Sequence, residues 1–282
     1  MSDDYRKGLL WTSLGVLCLT PDSLLVRFID TDPWTLLFWR GLLMSLSLSA
    51  YLLVRRAPLS HMNGKGWLAA TFLALSSACF VFSLQSTHAA NTLVIIATSP
   101  LIAAVISWLF LRESIPLATW AAILIATSGV ALSLGDGLQR GNLTGELFAL
   151  GSALAMACHF TALRWWRSEH ATLAICGAGF LMAGVSLLWA KPTSVPAPDI
   201  GWVLLLGAVV LPLAFAMMAV GPRYLPAPEV GLILLGETVL GPAWVWLFLR
   251  ETPGPSTLAG GAIVVLTLTA HSLYRKKQSA KD

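Results

Sequence analysis

Stretches of about 20 apolar residues, the length that crosses a bilayer core, fill this chain almost end to end: 7–27, 34–54, 66–86, 89–111, 116–134, 143–165, 171–190, 200–222, 227–249 and 256–274. Backbone polar groups in lipid must be satisfied within the chain, so such stretches form helices. The sequence therefore predicts an all-α polytopic membrane protein of ten transmembrane helices. The linkers are too short to hold an extramembrane domain, and turns such as 112–115 force neighbouring helices antiparallel. A charged fraction of 11% and a mean hydropathy of +0.75 agree, against roughly 25% charged residues in soluble domains. Whatever this chain does, it does inside the bundle.

Arg6 and Lys7 precede the first stretch, which is too long for a signal peptide and has no A-x-A site before the next span. It reads as a retained helix. With the N-terminus inside, the outer segments hold only Arg27, Arg140, Lys191 and Arg250. Arg40 lies within a span, and the rest of the 18 Lys and Arg fall on the inner side. Positive residues mark the cytoplasmic face, which places both termini in the cytoplasm of a bacterial-type inner (plasma) membrane. The net charge of +4 follows from that bias, and no basic patch interleaved with aromatics points to nucleic acid. Cys18, Cys79, Cys158 and Cys176 sit inside spans without CxxC spacing and read as reduced apolar fillers.

The hexapeptide WLFLRE occurs at Trp108 to Glu113 and again at Trp246 to Glu251, 138 positions later. At the same offset Gly41, Leu43 and Met44 meet Gly179, Leu181 and Met182, and Ala70, Leu73, Leu75 and Ala78 meet Ala208, Leu211, Leu213 and Ala216. Such a shared register marks an internal duplication with halves 1–138 and 139–282. Each half holds five spans, an odd number, so the second copy enters the membrane from the opposite side. The charge bias independently requires this, with Arg112 inside and Arg250 outside. Inverted repeats of this kind characterise secondary transporters, whose inward-open and outward-open states are exchanged by a pseudo-two-fold axis in the membrane plane. WLFLRE itself reads as a membrane-exit signal: Trp, Leu and Phe meet the lipid boundary while Arg and Glu meet water, with an Arg–Glu role in the turn.

The strings TPDSLLVR (Thr20 to Arg27), FWRG (Phe38 to Gly41), AANTLVIIATSPLIAAVISWLFLRE (Ala89 to Glu113) and LLGETVLGPAWVWLFLRE (Leu234 to Glu251) resemble EamA-type ten-helix exporters of the drug/metabolite transporter superfamily, to which the YddG aromatic-amino-acid exporters are related. The resemblance covers essentially all ten spans and implies a 5+5 inverted-repeat bundle that exports small metabolites, often amino acids. The family's acidic-proline pair in the ninth helix appears here as Glu237-Thr238, with a proline only at Pro242, so a role for that pair carries over to Glu237 alone.

An ionisable residue inside a span costs about 2.5–3.5 kcal/mol on insertion scales and so needs a partner, water or a function. Glu237 is nearly central in the ninth span. It either lines a cavity, as a site for a substrate amine or a proton, or is an acid hydrogen-bonded between helices. Asp22 and Arg40 share a depth in the first and second spans. They form a structural pair, or Arg40 serves an outer gate or a substrate carboxylate. Arg27 reads as snorkelling to the outer interface. His159 in the sixth span is an interior hydrogen-bonded residue or a proton relay. Gln85, His88 and Asn91, near the outer turn of the third and fourth spans, either bind substrate or cap and solvate helix ends. Glu229 reads as a helix-start acid facing the dipole.

Pro21, Pro100, Pro212 and Pro242 fall inside the first, fourth, eighth and ninth spans, where each removes a backbone hydrogen bond and can kink the helix. The kinks either gate the cavity or serve packing. The fifth and tenth spans carry small residues, among them Ala118, Ala122, Ala126, Gly129, Gly260 and Gly261. Small side chains allow close helix approach, which places these spans at the periphery or the repeat interface and leaves spans 1, 3, 4, 6, 8 and 9 around the cavity. Phe80 and Phe215, with Phe82, Met217 and Met218, then offer an apolar wall. Trp34, Trp67, Trp165, Trp166 and Trp202 read as interfacial belt residues.

No P-loop, HExxH, GxSxG or Cys/His cluster is present in the sequence, so no enzyme chemistry, cofactor or metal is indicated. The leading expectation is alternating-access export of small metabolites, most of all neutral or aromatic amino acids. Export of another metabolite or drug is the alternative. A channel, a scaffold or an intramembrane enzyme fits less well. The partners are a small-molecule substrate and the lipid bilayer. A monomer suffices, since the repeat supplies both moving halves, and a dimer stays open.

Overall fold

The computed structural model describes residues 3–56, 62–87, 89–134, 142–166, 171–249 and 255–278, with no strand among them. The first span is divided into α1 (Asp3–Leu19) and α2 (Asp22–Phe28), and the second and third are α3 (Pro33–Val54) and α4 (Gly64–Ser86). The fourth is divided into α5 (Ala89–Ile96) and α6 (Ser99–Leu111). The fifth, sixth and seventh are α7 (Leu117–Leu134), α8 (Leu143–Trp166) and α9 (Ala171–Ser186). The eighth starts as α10 (Ile200–Leu204), widens into a π turn (Leu205–Val210), and continues as α11 (Leu211–Met218) and the short α12 (Gly221–Tyr224). The ninth and tenth are α13 (Ala227–Leu249) and α14 (Pro255–Gln278). Among the described residues six helical stretches are long and apolar enough to cross a membrane, and shorter apolar helices run over Leu117–Leu132, Ala171–Ser186 and Leu258–His271.

Helix starts follow local chemistry. Asp32 caps α3, its Oδ1 accepting from Trp34 N at 3.1 Å and Thr35 N at 3.0 Å, with Pro33 in the first turn. Asn63 caps α4 through Gly66 N at 3.1 Å. The exterior is apolar: Leu53, Val54, Phe110, Leu117 and Leu188 are all exposed, which suits hydrocarbon. Lipid tails supply no hydrophobic drive between helices, so association depends on close packing and hydrogen bonds.

The packing partners have a simple order. α3 lies against α9, α6 against α13, and α7 against α14, pairing the second span with the seventh, the fourth with the ninth and the fifth with the tenth. α4 packs on α8 as α1 packs on α11, so the third meets the sixth as the eighth meets the first. Exchanging the halves leaves these pairings unchanged, the pattern of an approximate two-fold axis. Glycines permit the crossings. A Cβ on Gly129 of α7 would lie 2.8 Å from Ile263 Cγ2 and 3.1 Å from the Gly260 carbonyl oxygen of α14.

Proline interrupts three spans, and hydroxyls repair the interruptions. Pro21 has no N–H for the Leu17 carbonyl four residues back; Thr20 Oγ1 donates to it instead at 2.8 Å. Beside Pro100 the helix opens at Ala97–Thr98. There Thr98 Oγ1 donates to the Ile95 carbonyl at 2.6 Å, and Thr127 Oγ1 of α7 donates to the Ala97 carbonyl at 3.2 Å. Pro212 follows the π turn, and the Ala208 carbonyl it leaves receives Ser47 Oγ of α3 at 2.9 Å. Pro242 differs from these three. The α13 backbone runs through it without interruption, so the breaks do not match at Pro100 and Pro242; the Pro242 side chain lies outside the described residues.

Candidate functional site

The breaks in the first and fourth spans open onto one cavity. Its walls come from spans 1, 2, 3, 4, 6, 8 and 9, with Leu19 and Asp22 beside the first break and Ile96, Ala97 and Ser99 beside the second. Non-helical backbone at membrane depth is tolerated where it lines a cavity or is buried in protein. The cavity holds about 50 Å³. That is room for a few waters at about 10–15 Å³ each, and far less than the roughly 300–1,000 Å³ of ligand pockets.

Three of the residues singled out from sequence for their charge meet here: Asp22, Arg40 and Glu237 all line the cavity. Asp22 opens α2, where the helix dipole favours an acid. Arg40 projects from α3 and holds it at both terminal nitrogens, Nη1 to Oδ1 at 2.5 Å and Nη2 to Oδ2 at 3.0 Å. Both residues are buried, 4% and 3% exposed. This is the end-on, two-bond geometry that a guanidinium fork offers a carboxylate. Arg40 Nε is also buried but has no hydrogen-bond partner. Glu237 of α13 has no ion-pair partner among the described residues, and Thr238 beside it bonds back to the Leu235 carbonyl at 2.8 Å.

Phe80 and Phe215 form part of the apolar wall, as does Met156. Ser76, Ser77, Ser99 and Ser152 add a hydroxyl lining that sequence reasoning passed over. Ser76 and Ser152 join α4 to α8 reciprocally, each Oγ donating to the other's carbonyl, at 3.1 and 3.0 Å. Their sequence signal is weak, because small polar residues in spans usually serve packing.

The remaining candidates lie elsewhere. His159 is 1% exposed, and its Nδ1 lies 2.8 Å from the Ala69 carbonyl oxygen; it does not line the cavity. Asn91 Nδ2 donates to Glu146 Oε1 at 2.9 Å, and Gln85 Nε2 to the Thr31 carbonyl at 3.2 Å. Both tie helix ends and stay off the cavity wall. His88, Arg250 and Glu251 lie outside the described residues. Near Asn91's end of the bundle, aromatic rings pack in series: Trp189 tilted against Trp34 and Trp34 edge-on to Phe82, each at 4.7 Å, then Phe82 stacked on Phe148 at 5.4 Å.

At the opposite end the structure corrects the reading of WLFLRE. Arg112, with φ of 53°, ends α6 in the left-handed region and is exposed, while Glu113 turns back into the bundle. Its partner is Arg164 of α8, Nε to Oε1 at 2.8 Å, and not the adjacent arginine. Arg164 Nη1 also donates to the carbonyls of Pro222 and Arg223 at 3.4 and 3.3 Å, at and near the end of the eighth span. One guanidinium thus ties three elements, and carbonyls at a helix C-terminus favour a cation. Among the described residues no group of three His, Cys, Asp or Glu could hold a metal ion.

The EamA-like transporter family model matches residues 6–135 and 143–272, once in each half. The chain belongs to the EamA-like transporter family. Among similar EamA-like and related proteins are the pseudopaline exporters CntI of two Pseudomonas aeruginosa strains. The UCBPP-PA14 protein is 27% identical and the PAO1 protein 28% identical, each over 214 residues covering 72% of both chains. A solved crystal structure superposes with a TM-score of 0.82 over 95% of this chain and 98% of its own, at 17% identity, and so shows the fold. Membership makes this a multi-pass membrane protein of a transporter family, with Asp22, Arg40 and Glu237 in a cavity that both EamA-like halves enclose.

Proposed function

We propose that this chain exports small amphipathic metabolites, neutral and aromatic amino acids above all, across a bacterial-type inner membrane with both termini cytoplasmic. The halves 1–138 and 139–282 rock about the cavity, opening it to one side and then the other. The observation that carries this reading is the convergence of Asp22, Arg40 and Glu237 on one cavity walled by both repeats. Charged side chains inside spans mark substrate and ion pathways. Alternating access in such repeats works around a site at their interface. Serine hydroxyls, Phe80, Phe215 and Met156 supply the mixed lining that a zwitterion with an apolar side chain requires. In this reading Glu237 is the site of a substrate amine or of a coupled proton.

The test is flux of labelled amino acids in reconstituted liposomes, with and without a pH gradient, for the native chain and Glu237→Gln. Saturable flux that responds to the gradient in the native chain and loses that response in Glu237→Gln is the expected result. Saturable flux indifferent to both removes Glu237 as the coupling group. The relatives named as pseudopaline exporters favour a second reading, export of a metabolite other than an amino acid. Saturable flux of no amino acid at all would select it.

A further inference from the structure

We infer that Asp22 is a built-in stand-in for a substrate carboxylate, and that the cavity therefore selects substrates that present one to the free edge of Arg40. This inference rests on the cavity being the transport site. Arg40 has five N–H donors in a planar fork. Asp22 occupies one on Nη1 and one on Nη2, an end-on grip. The side-on edge, Nε with the remaining reach of Nη2, is left without an acceptor at Nε, although the residue is only 3% exposed and lines the cavity. A buried donor without an acceptor is costly, and a guanidinium edge fits a two-oxygen planar anion.

The backbone opposite supports the same ligand. α6 restarts beside the cavity at Ser99 after the Ala97–Thr98 opening, and Thr98 provides no side-chain cap. The Leu101 and Ile102 N–H groups close on the Thr98 carbonyl at 3.0 and 3.2 Å, so what this end of the 13-residue helix offers the cavity is the positive end of its dipole. Half-helix N-termini in transporters receive anionic substrate groups in this way. A carboxylate entering the cavity takes Nε and the second N–H of Nη2 and competes with Asp22 for the one guanidinium charge, while an amine on the same substrate is left to Glu237. Without a substrate carboxylate Asp22 alone neutralises the guanidinium through both terminal nitrogens, so Arg40 is never left without a counter-charge.

The experiment is ligand-induced thermal stabilisation of the detergent-solubilised full chain, with phenylalanine and phenylalanine methyl ester as probes. Phenylalanine is expected to stabilise the native chain and the ester to do so weakly or not at all. Asp22→Asn removes the competing charge and should strengthen the phenylalanine response, lowering its apparent Kd roughly tenfold, as expected for the loss of a charge-assisted competitor. The charge-neutral double variant Asp22→Asn/Arg40→Gln keeps the site free of uncompensated charge. It should fold, shown by an unchanged elution profile and helical circular dichroism, and lose the preference for acid over ester. Equal stabilisation of the native chain by acid and ester overturns the inference, as does a double variant that still prefers the acid. Binding is read here without flux, so a carrier that moves amines without preferring a carboxylate defeats this inference alone. Absence of saturable flux of any solute defeats the transport reading itself.

Discussion

Gly41 and Gly179 hold their backbones in direct contact where α3 crosses α9. A Cβ on Gly41 would lie 2.5 Å from the Gly179 carbonyl oxygen, and a Cβ on Gly179 would lie 2.6 Å from the Gly41 carbonyl oxygen. The two residues are 138 positions apart, the offset of the duplication. A residue that touches its own repeat equivalent lies beside the axis that exchanges the halves, so this crossing is a pivot for any rocking motion.

Gly41→Ala and Gly179→Ala should therefore each destabilise the protein by about 1–3 kcal/mol, the usual cost of overpacking, read as a lowered midpoint of thermal unfolding in detergent. Gly184→Ala is the control on the same helix. A Cβ there meets nothing within 4 Å, and alanine favours a helix interior over glycine by about 0.5–1 kcal/mol. Equal loss at Gly184 and Gly179 would show that the crossing is not special.

Ser47→Ala should cost about 1–2 kcal/mol, because the Ala208 carbonyl then has no donor in a medium without water. Pro212→Ala returns an N–H four residues after that carbonyl and should make Ser47→Ala nearly neutral. A double-mutant cycle on unfolding midpoints reads this coupling; simple additivity of the two changes would reject the repair of the proline gap by Ser47.

Arg164 and Glu113 should show a coupling of about 0.5–3 kcal/mol in the same kind of cycle. The charge swap Arg164→Glu with Glu113→Arg restores opposite charges but points an acid at the carbonyls of Pro222 and Arg223, where the helix dipole disfavours it. The swap is accordingly expected not to recover stability or flux. Full recovery would reduce the contact to a simple ion pair.

Much of this organisation is legible in the chain itself. Long apolar runs can only be helices in lipid, and the shared register of WLFLRE and of Gly41 with Gly179 exposes two halves. Asp22, Arg40 and Glu237 stand out because a charge in such a run must be housed. Pro21 and Pro100 mark the broken helices, since proline withholds a donor wherever it falls. The rotation of each helix about its own axis is not written locally. Ser76 with Ser152, Ser47 with Ala208 and Thr127 with Ala97 are contacts between residues whose facing directions depend on tertiary packing. His159, Asn91 and Gln85 are polar enough to suggest a site, yet each is engaged with a neighbouring segment away from the cavity. From the sequence, Arg112 and Glu113 together read as water-facing turn residues. One left-handed residue at Arg112 redirects Glu113 across the bundle.

The Asp22–Arg40 pair also bears on electricity. Because the two charges cancel, the empty cavity has the net charge of Glu237 alone. An elementary charge moved across the membrane is worth about 2.3 kcal/mol per 100 mV. In the proposed cycle, the unloaded carrier resets without regard to voltage when Glu237 is protonated, and the resting potential pulls on every return when it is ionised. Exchange-free efflux under potassium–valinomycin potentials should consequently gain voltage sensitivity as the pH rises, and Glu237→Gln should abolish that gain.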